Sequence, residues 1–166
     1  MADKLIQMMK DEDVQYVDLR FTDPRGKMQH VTFHKGMVED DFFSEGQMFD
    51  GSSVAGWKTI NESDMLLLPD QDTAMIDPFF QQTTLAVMCD VLDPITGQPY
   101  NRDPRTTAKK AEAYVKASGV GDTVFFGPEA EFFVFDDVRW SVQPHKTGYS
   151  FDSTELPINT DKDYPM

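Results

Sequence analysis

The chain has 166 residues, of which 40% are hydrophobic, so it can bury the core of one domain or slightly more. Fifteen Lys and Arg residues against 29 Asp and Glu residues give a formal net charge of −14, which disfavours nucleic acid and anionic membrane surfaces as partners. We expect a cytoplasmic protein, because the sequence has no membrane-length apolar stretch, no secretory signal and a single cysteine, Cys89, which excludes an internal disulfide.

The N-terminal part of the chain is predicted to hold a helix, a β-hairpin and further strands. Apolar residues at helical spacing among Lys, Asp and Glu predict a helix over residues 6–13. Residues 16–22 and 28–34 alternate apolar and polar side chains around the turn sequence DPRG, which predicts a β-hairpin. A short helix or turn at 38–43, a Gly-rich and Ser-rich loop at 46–56, and strands at 65–69 and 84–92 complete this part. The combination is typical of a small α+β domain resembling a β-grasp.

A domain boundary is predicted between residues 103 and 104, which gives domains of residues 1–103 and 104–166. The turn at 93–97 and a proline among charged residues separate the two parts. Thr106 or Thr107 is expected to cap a helix that ends near Gly119, and the longest strand candidate follows at 123–135, with another at 139–142. Residues 159–166 are polar and irregular, so the second domain lacks a closing element. We therefore expect a fragment of a longer chain.

Two acidic residues, Glu129 and Glu131, interrupt the apolar run GPEAEFFVF at residues 127–135. Residues two apart on a strand point to the same face, which places the two carboxylates about 7 Å apart. Two buried carboxylates stay ionised only beside positive charge, and Mg²⁺ or Mn²⁺ with oxygen ligands is the usual source. Taken alone, the pair also fits a strand whose polar face meets water.

Aromatic residues around this pair favour the functional interpretation. They would place bulky rings on both faces of the strand, as in a strand that is buried on both sides. The rings belong to Phe125, Phe126, Phe132, Phe133 and Phe135.

The second candidate site is the loop MFDGSSV at residues 48–54, followed by Trp57. Gly51 permits backbone geometry that other residues resist, Ser52 and Ser53 offer hydroxyl groups, and Asp50 is held beside an aromatic residue at a loop tip. From composition alone, an ordinary Asx turn is the favoured interpretation.

Several nucleotide, metal and nucleophile motifs are missing from the sequence. Neither GxxxxGK[ST] nor GxGxxG is present, so these routes to nucleotide binding are excluded for this segment. His30 and His34 lie on a predicted strand without a nearby carboxylate motif, which argues against a histidine metal site.

Six segments together resemble the N-terminal portion of bacterial type I glutamine synthetase. They cover nearly the whole chain, and their combination is highly specific. The segments are VDLRFTDPRGK (17–27), FFSEGQMFDGSSVAGW (42–57), NESDMLLLPD (61–70), CDVLDP (89–94), NRDPR (101–105) and FGPEAEFFVFD (126–136). The resemblance implies a β-grasp domain up to about residue 103, followed by the start of a catalytic domain built on a curved antiparallel sheet.

The resemblance also implies ATP-dependent ligation of ammonia to glutamate through a γ-glutamyl phosphate, with Mg²⁺ or Mn²⁺ as cofactors. Glu129 matches a ligand of the metal nearer the phosphates, and Glu131 matches a ligand of the metal nearer glutamate. Asp50 matches the residue that binds ammonium and removes its proton. Ser53, Trp57 and Asp64 are expected to support the same site. Ala130 departs from the family, where proline is common at this position.

In such a family, active sites are shared between subunits of a homo-oligomer, commonly a dodecamer of two hexameric rings. The loop with Asp50 would act on the neighbouring subunit. The other metal ligands and the ATP and glutamate pockets would lie beyond Met166, so we expect the 166-residue fragment to be inactive alone. Two alternatives are a related γ-glutamyl-amine ligase of the same superfamily and a non-catalytic β-grasp assembly module.

Overall fold

The computed structural model describes residues 2–156, and the predicted irregular stretch at 159–166 lies outside them. The chain divides into two compact units, one up to Val124 and one from Phe125 onward. This division reflects how compactly the residues pack, which does not test where one domain ends and the next begins. The domain boundary between residues 103 and 104 therefore stays a prediction. None of the helices within residues 2–156 is long and apolar enough to cross a membrane.

The first unit is a mixed sheet with three α-helices. In chain order the elements are α1 (Ala2–Asp11), β1 (Tyr16–Thr22), β2 (Met28–His34), α2 (Phe42–Glu45), β3 (Gln47–Asp50), β4 (Asp64–Pro69), β5 (Met75–Ile76), β6 (Thr84–Leu92) and α3 (Pro104–Ser118). The strands lie in the order β2-β1-β6-β4-β3, and the short β5 also pairs with β6. The neighbours β1 and β6 are parallel, and the other pairs are antiparallel.

One face of this sheet forms the hydrophobic core. Alternation along β1 and β6 turns every second side chain toward α1 and α2, and these side chains are buried. Phe42 and Phe43 of α2 are almost fully buried and contact each other edge to face, with 5.1 Å between the ring centroids. The core members from the strands are Val17, Leu19, Phe21, Met65, Leu67, Leu85, Val87, Cys89 and Val91.

Helix α3 begins at a buried aspartate rather than at the predicted threonine. Asp103 accepts hydrogen bonds from the backbone amides of Arg105 and Thr106, both at 3.1 Å, and from the Thr106 hydroxyl at 2.9 Å. Pro104 fits the first helical turn because it has no amide hydrogen to satisfy. The predicted cap at Thr106 or Thr107 is therefore wrong, since the aspartate outcompetes both hydroxyls. The helix ends at Gly119, where the sequence predicts its end, and this glycine has a left-handed conformation with a φ of 71°.

Replacing Asp103 with alanine is expected to lower the free energy of unfolding by about 1–2 kcal/mol, because two helix amides and one hydroxyl lose their acceptor. Asp103→Asn keeps an acceptor oxygen and should lose less stability. Chemical denaturation of both variants followed by circular dichroism measures the difference. Equal stability of the alanine variant and the original chain would contradict the capping role.

The second unit contains one antiparallel hairpin among its described residues. Its strands are β7 (Asp137–Gln143) and β8 (Lys146–Asp152), so the strand predicted at 139–142 is confirmed.

The strand predicted at 123–135 does not form in this structure. These residues have no regular secondary structure, and Phe125 and Phe126 are 90% and 87% exposed rather than buried. A strand needs a ladder partner, and no strand among residues 2–156 pairs with this segment. The apolar pattern at 123–135 therefore exists without the sheet that it was expected to join.

Candidate functional site

The loop with Asp50 leaves the edge of the sheet between β3 and β4. The predicted Gly-rich loop is shorter than expected, because residues Gln47–Asp50 form β3. Asp50 is the last residue of β3 and lies directly opposite Asp64, the first residue of β4. A 3-10 turn at Gly51–Ser53 follows. The structure therefore brings Asp50 and Asp64 together at one end of a strand pair.

The Asp50 carboxylate is exposed and anionic. Its Oδ1 accepts hydrogen bonds from the Ser52 hydroxyl at 2.6 Å and from the Ser52 backbone amide at 2.8 Å. These two bonds, with a smaller contribution from the Ser63 side chain, hold the pKa of Asp50 below its ordinary value. The Asx turn favoured from composition is therefore present, and it fixes an ionised carboxylate at the loop tip.

Gly51 allows this loop to pack closely on β4. It is buried, and its amide donates to the Ser63 carbonyl at 2.7 Å. A Cβ atom at this position would lie 2.6 Å from Cγ of Met65 and 3.0 Å from the Ser63 carbonyl oxygen. Glycine is needed here for space.

We expect Gly51→Ala to lower the free energy of unfolding by about 1–3 kcal/mol, because the methyl group overlaps a buried side chain. Gly148→Ala is the matched control, since a Cβ atom there meets nothing within 4 Å. Thermal denaturation of the two variants makes the comparison. Equal melting temperatures would show that Met65 moves aside without cost.

Trp57 anchors the far end of the loop in the core. It is 3% exposed, and its ring lies 5.4 Å from Phe21 and 5.5 Å from Tyr100, measured between centroids. The buried indole N–H has no hydrogen-bond partner among the described residues, so ring packing holds this side chain. Trp57 therefore attaches the loop to the hydrophobic core, whereas Asp50 and Ser53 are exposed.

Asp64 lies in the lining of an open pocket of about 650 Å³, among both charged and apolar residues. The charged residues include Lys58 and Asp93. The apolar ones are strongly exposed, with Met48 at 54%, Ile60 at 85% and Ile95 at 93%. Exposed apolar side chains among polar groups are typical of a surface that contacts another protein.

Glu129 and Glu131 lie in the second unit and are both exposed. They belong to the segment without regular structure, so the alternation that was expected to align them is not formed. Within residues 2–156, no group of three or more His, Cys, Asp or Glu residues is placed to hold a metal ion.

Two family descriptions match the chain, one after the other. "Glutamine synthetase, beta-Grasp domain" matches residues 13–94, and "Glutamine synthetase, catalytic domain" matches residues 101–165. The chain belongs to the glutamine synthetase family. The β-grasp domain followed by the start of a catalytic domain confirms the predicted fold class, and the predicted family is confirmed with it.

Relatives named glutamine synthetase match the chain almost from end to end. The protein from Bradyrhizobium diazoefficiens is 68% identical over 98% of this chain, and that from Azorhizobium caulinodans is 66% identical over the same share. This chain spans 35% of each relative's length. A cryo-electron microscopy structure of Plasmodium falciparum glutamine synthetase shares the fold, with a TM-score of 0.67, 24% identity, and coverage of 91% of this chain and 29% of that one.

Membership of the glutamine synthetase family implies ATP and divalent metal ions. The carboxylate oxygens of Glu129 and Glu131 fit such ions by donor type, because Mg²⁺ and Mn²⁺ prefer oxygen ligands. They do not fit by number, since two residues cannot fill a shell of six and the described residues add no third ligand nearby. The two glutamates by themselves therefore do not form a complete metal site.

Sequence reasoning missed the support of the loop by Tyr100 and Arg102. The Tyr100 hydroxyl donates to the Trp57 carbonyl, and the Arg102 guanidinium donates to the carbonyls of residues 56 and 57. A separation of more than 40 residues leaves no local pattern for such contacts. The available signal was the NRDPR segment, which includes Arg102 and belongs to the resemblance to glutamine synthetase.

Proposed function

We propose that this chain forms the N-terminal part of a glutamine synthetase that joins ammonia to glutamate with ATP, through a γ-glutamyl phosphate. The observation that carries the proposal is the exposed, ionised Asp50 at a fixed loop tip in a chain that both family descriptions match. The identity of 68% to a protein named glutamine synthetase supports it.

Asp50 binds ammonium and removes its proton in this proposal. Ammonium has no lone pair, so it must lose a proton before its nitrogen attacks an acyl phosphate. A carboxylate attracts the cation and accepts the proton. Ser52 holds the Asp50 carboxylate in place, and the lowered pKa keeps it anionic when the cation arrives. Ser53 and Asp64 complete the polar surface of this loop, and Trp57 supports it.

Glu129 and Glu131 hold divalent ions in the whole protein, Glu129 nearer the phosphates and Glu131 nearer glutamate. When bound, Mg²⁺ or Mn²⁺ screens the repulsion between the γ-phosphate and the attacking carboxylate. The remaining oxygen ligands come from residues other than the described ones. Consequently, the 166-residue chain is expected to be inactive alone.

The loop with Asp50 serves the active site of a neighbouring subunit. Asp50 ends the edge strand β3, and the exposed side chains of Met48, Ile60 and Ile95 line a pocket together with Asp64, the residue opposite Asp50. Covering these apolar side chains would stabilise a subunit contact. We propose hexameric rings stacked into a dodecamer, in the cytoplasm, where ATP, glutamate and ammonium are substrates.

Phosphate release by the whole protein tests this function. Release from ATP should require both glutamate and ammonium and should be accompanied by glutamine. A preference for a polyamine or another amine would replace the proposal with a related γ-glutamyl-amine ligase. Phosphate release under none of these conditions would favour a non-catalytic assembly module. The mass of the native assembly, measured by light scattering, tests the dodecamer.

A further inference from the structure

The backbone carbonyls at the end of the Asp50 loop accept three hydrogen bonds from one distant segment. The Tyr100 hydroxyl donates to the Trp57 carbonyl at 2.8 Å. Nη1 of Arg102 donates to the carbonyls of Gly56 and Trp57, at 2.8 and 3.0 Å. We call Tyr100 and Arg102 the loop clamp. A guanidinium suits this task because its fixed, planar donors can reach two carbonyls at once.

Side-chain packing reinforces the loop clamp. The Trp57 ring meets the Tyr100 ring edge to face at 5.5 Å, and Nζ of Lys58 lies 5.6 Å from the centre of the Tyr100 ring. Lys58 also lies 3.9 Å from the Asp93 carboxylate. The contacts converge on residues 56–58, which have no helix or strand of their own.

The Asp50 loop therefore has two anchors, one at each end. At its start, Asp50 pairs with Asp64 across the sheet and the Gly51 amide donates to the Ser63 carbonyl. At its end, the loop clamp holds the carbonyls of residues 56 and 57. The Asp50 carboxylate is exposed, and it is held by Ser52, which lies between the anchors, so its position depends on how firmly both ends of the loop are held.

We infer that Tyr100 and Arg102 are positioning residues for the use of ammonium, acting through the backbone of residues 56 and 57. The inference rests on the proposed function, because it assigns a task to the Asp50 loop. Arg102 lies within the segment that matches the catalytic domain, and the next residue, Asp103, caps α3. The clamp thus connects the loop of the β-grasp domain to the start of the catalytic domain in the same chain.

Kinetics of the whole protein test the clamp with three variants. Arg102→Gln removes the charge and the bridging donors, Arg102→Lys keeps a charged donor, and Tyr100→Phe removes a hydroxyl but keeps the ring. Lys4→Gln on α1 is a control that removes the same charge from an exposed residue. Arg102→Gln should raise KM for ammonium about fivefold to tenfold, because two hydrogen bonds are lost. KM for ATP and for glutamate should stay within about twofold of the wild-type values. Arg102→Lys should have a KM for ammonium between those of the wild type and Arg102→Gln.

Hydrogen–deuterium exchange of residues 50–58 provides a readout that is independent of activity. The loop amides should exchange faster in Arg102→Gln than in the wild type, and the lysine variant should restore part of the protection. Unchanged exchange in Arg102→Gln and Tyr100→Phe would overturn the clamp itself. Faster exchange with an unchanged KM for ammonium would overturn the positioning role. A wild-type protein that makes no glutamine would overturn the proposed function, while exchange would still decide whether the clamp exists.

Discussion

Replacing Asp50 with alanine in the whole protein is expected to lower kcat/KM for ammonium by about 100-fold to 10,000-fold, the range of general acid–base catalysis. The reason is that the carboxylate both attracts the cation and takes its proton. Formation of the acyl phosphate does not involve this proton, so phosphoryl transfer should be impaired less. Glutamine formation at varied ammonium concentrations, measured beside ADP release, separates the two effects.

Hydroxylamine makes the test of Asp50 sharper. It is largely uncharged at neutral pH, so it can attack the acyl phosphate without first losing a proton. Asp50→Ala should therefore retain more activity with hydroxylamine than with ammonium. Asp50→Asn keeps an acceptor for the Ser52 hydrogen bonds but lacks the charge, and it should resemble the alanine variant. Asp72→Ala, at another exposed 3-10 turn, is the control.

Two other results would change the assignment of Asp50. Equal losses with both nucleophiles would indicate that the carboxylate shapes the loop through Ser52 rather than handling the proton. Unchanged kinetics with ammonium would rule out the assigned role. The lowered pKa of Asp50 means that this carboxylate stays ionised at neutral pH, so an inflection of the rate near neutral pH would belong to another group.

The sequence was most successful for elements that a local pattern of side chains is enough to define. Strands β1, β2 and β6 occupy the predicted residues. Alternating side chains and a turn sequence suffice for the hairpin, because its two strands are neighbours in the chain. The Asx turn at Asp50 is equally local, since its bonds reach two residues ahead.

Contacts between distant residues could not be predicted in the same way. Nδ1 of His30 lies 2.7 Å from Oδ1 of Asp18, although no carboxylate motif adjoins this histidine in sequence. The contact arises because β1 and β2 are paired antiparallel, which places Asp18 opposite Thr32 and beside His30. Such pairs depend on the register between two strands. The side-chain pattern of a single strand does not define that register.

The segment at 123–135 shows the opposite failure, because its local pattern is strong but its surroundings are missing. Backbone groups of a strand need a second strand for their hydrogen bonds, however well the side chains alternate. The hairpin of β7 and β8 forms because it supplies both strands itself. The expected strand at 123–135 requires partners, and the described residues provide none.

Metal binding by Glu129 and Glu131 should likewise depend on residues outside the 166-residue chain. Titration of the 166-residue chain with Mn²⁺ should show weak binding, with a Kd of about 1 mM or higher, because two exposed carboxylates cannot fill an octahedral shell. The whole protein should bind Mn²⁺ tightly and stoichiometrically. Calorimetric titration measures both without requiring activity. Tight binding by the 166 residues alone would contradict the view that the donor set is incomplete.

Single replacements then separate the two glutamates in the whole protein. Glu129→Gln and Glu131→Gln keep the size of each side chain but lose its charge, so each should weaken Mn²⁺ binding by at least about tenfold. If the two residues serve different ions, each variant should weaken one binding step and leave the other. Glu155→Gln, an exposed acid of the same unit, is the control. Unaltered titrations for both variants would leave the pair as two solvent-exposed acids without a role in metal binding.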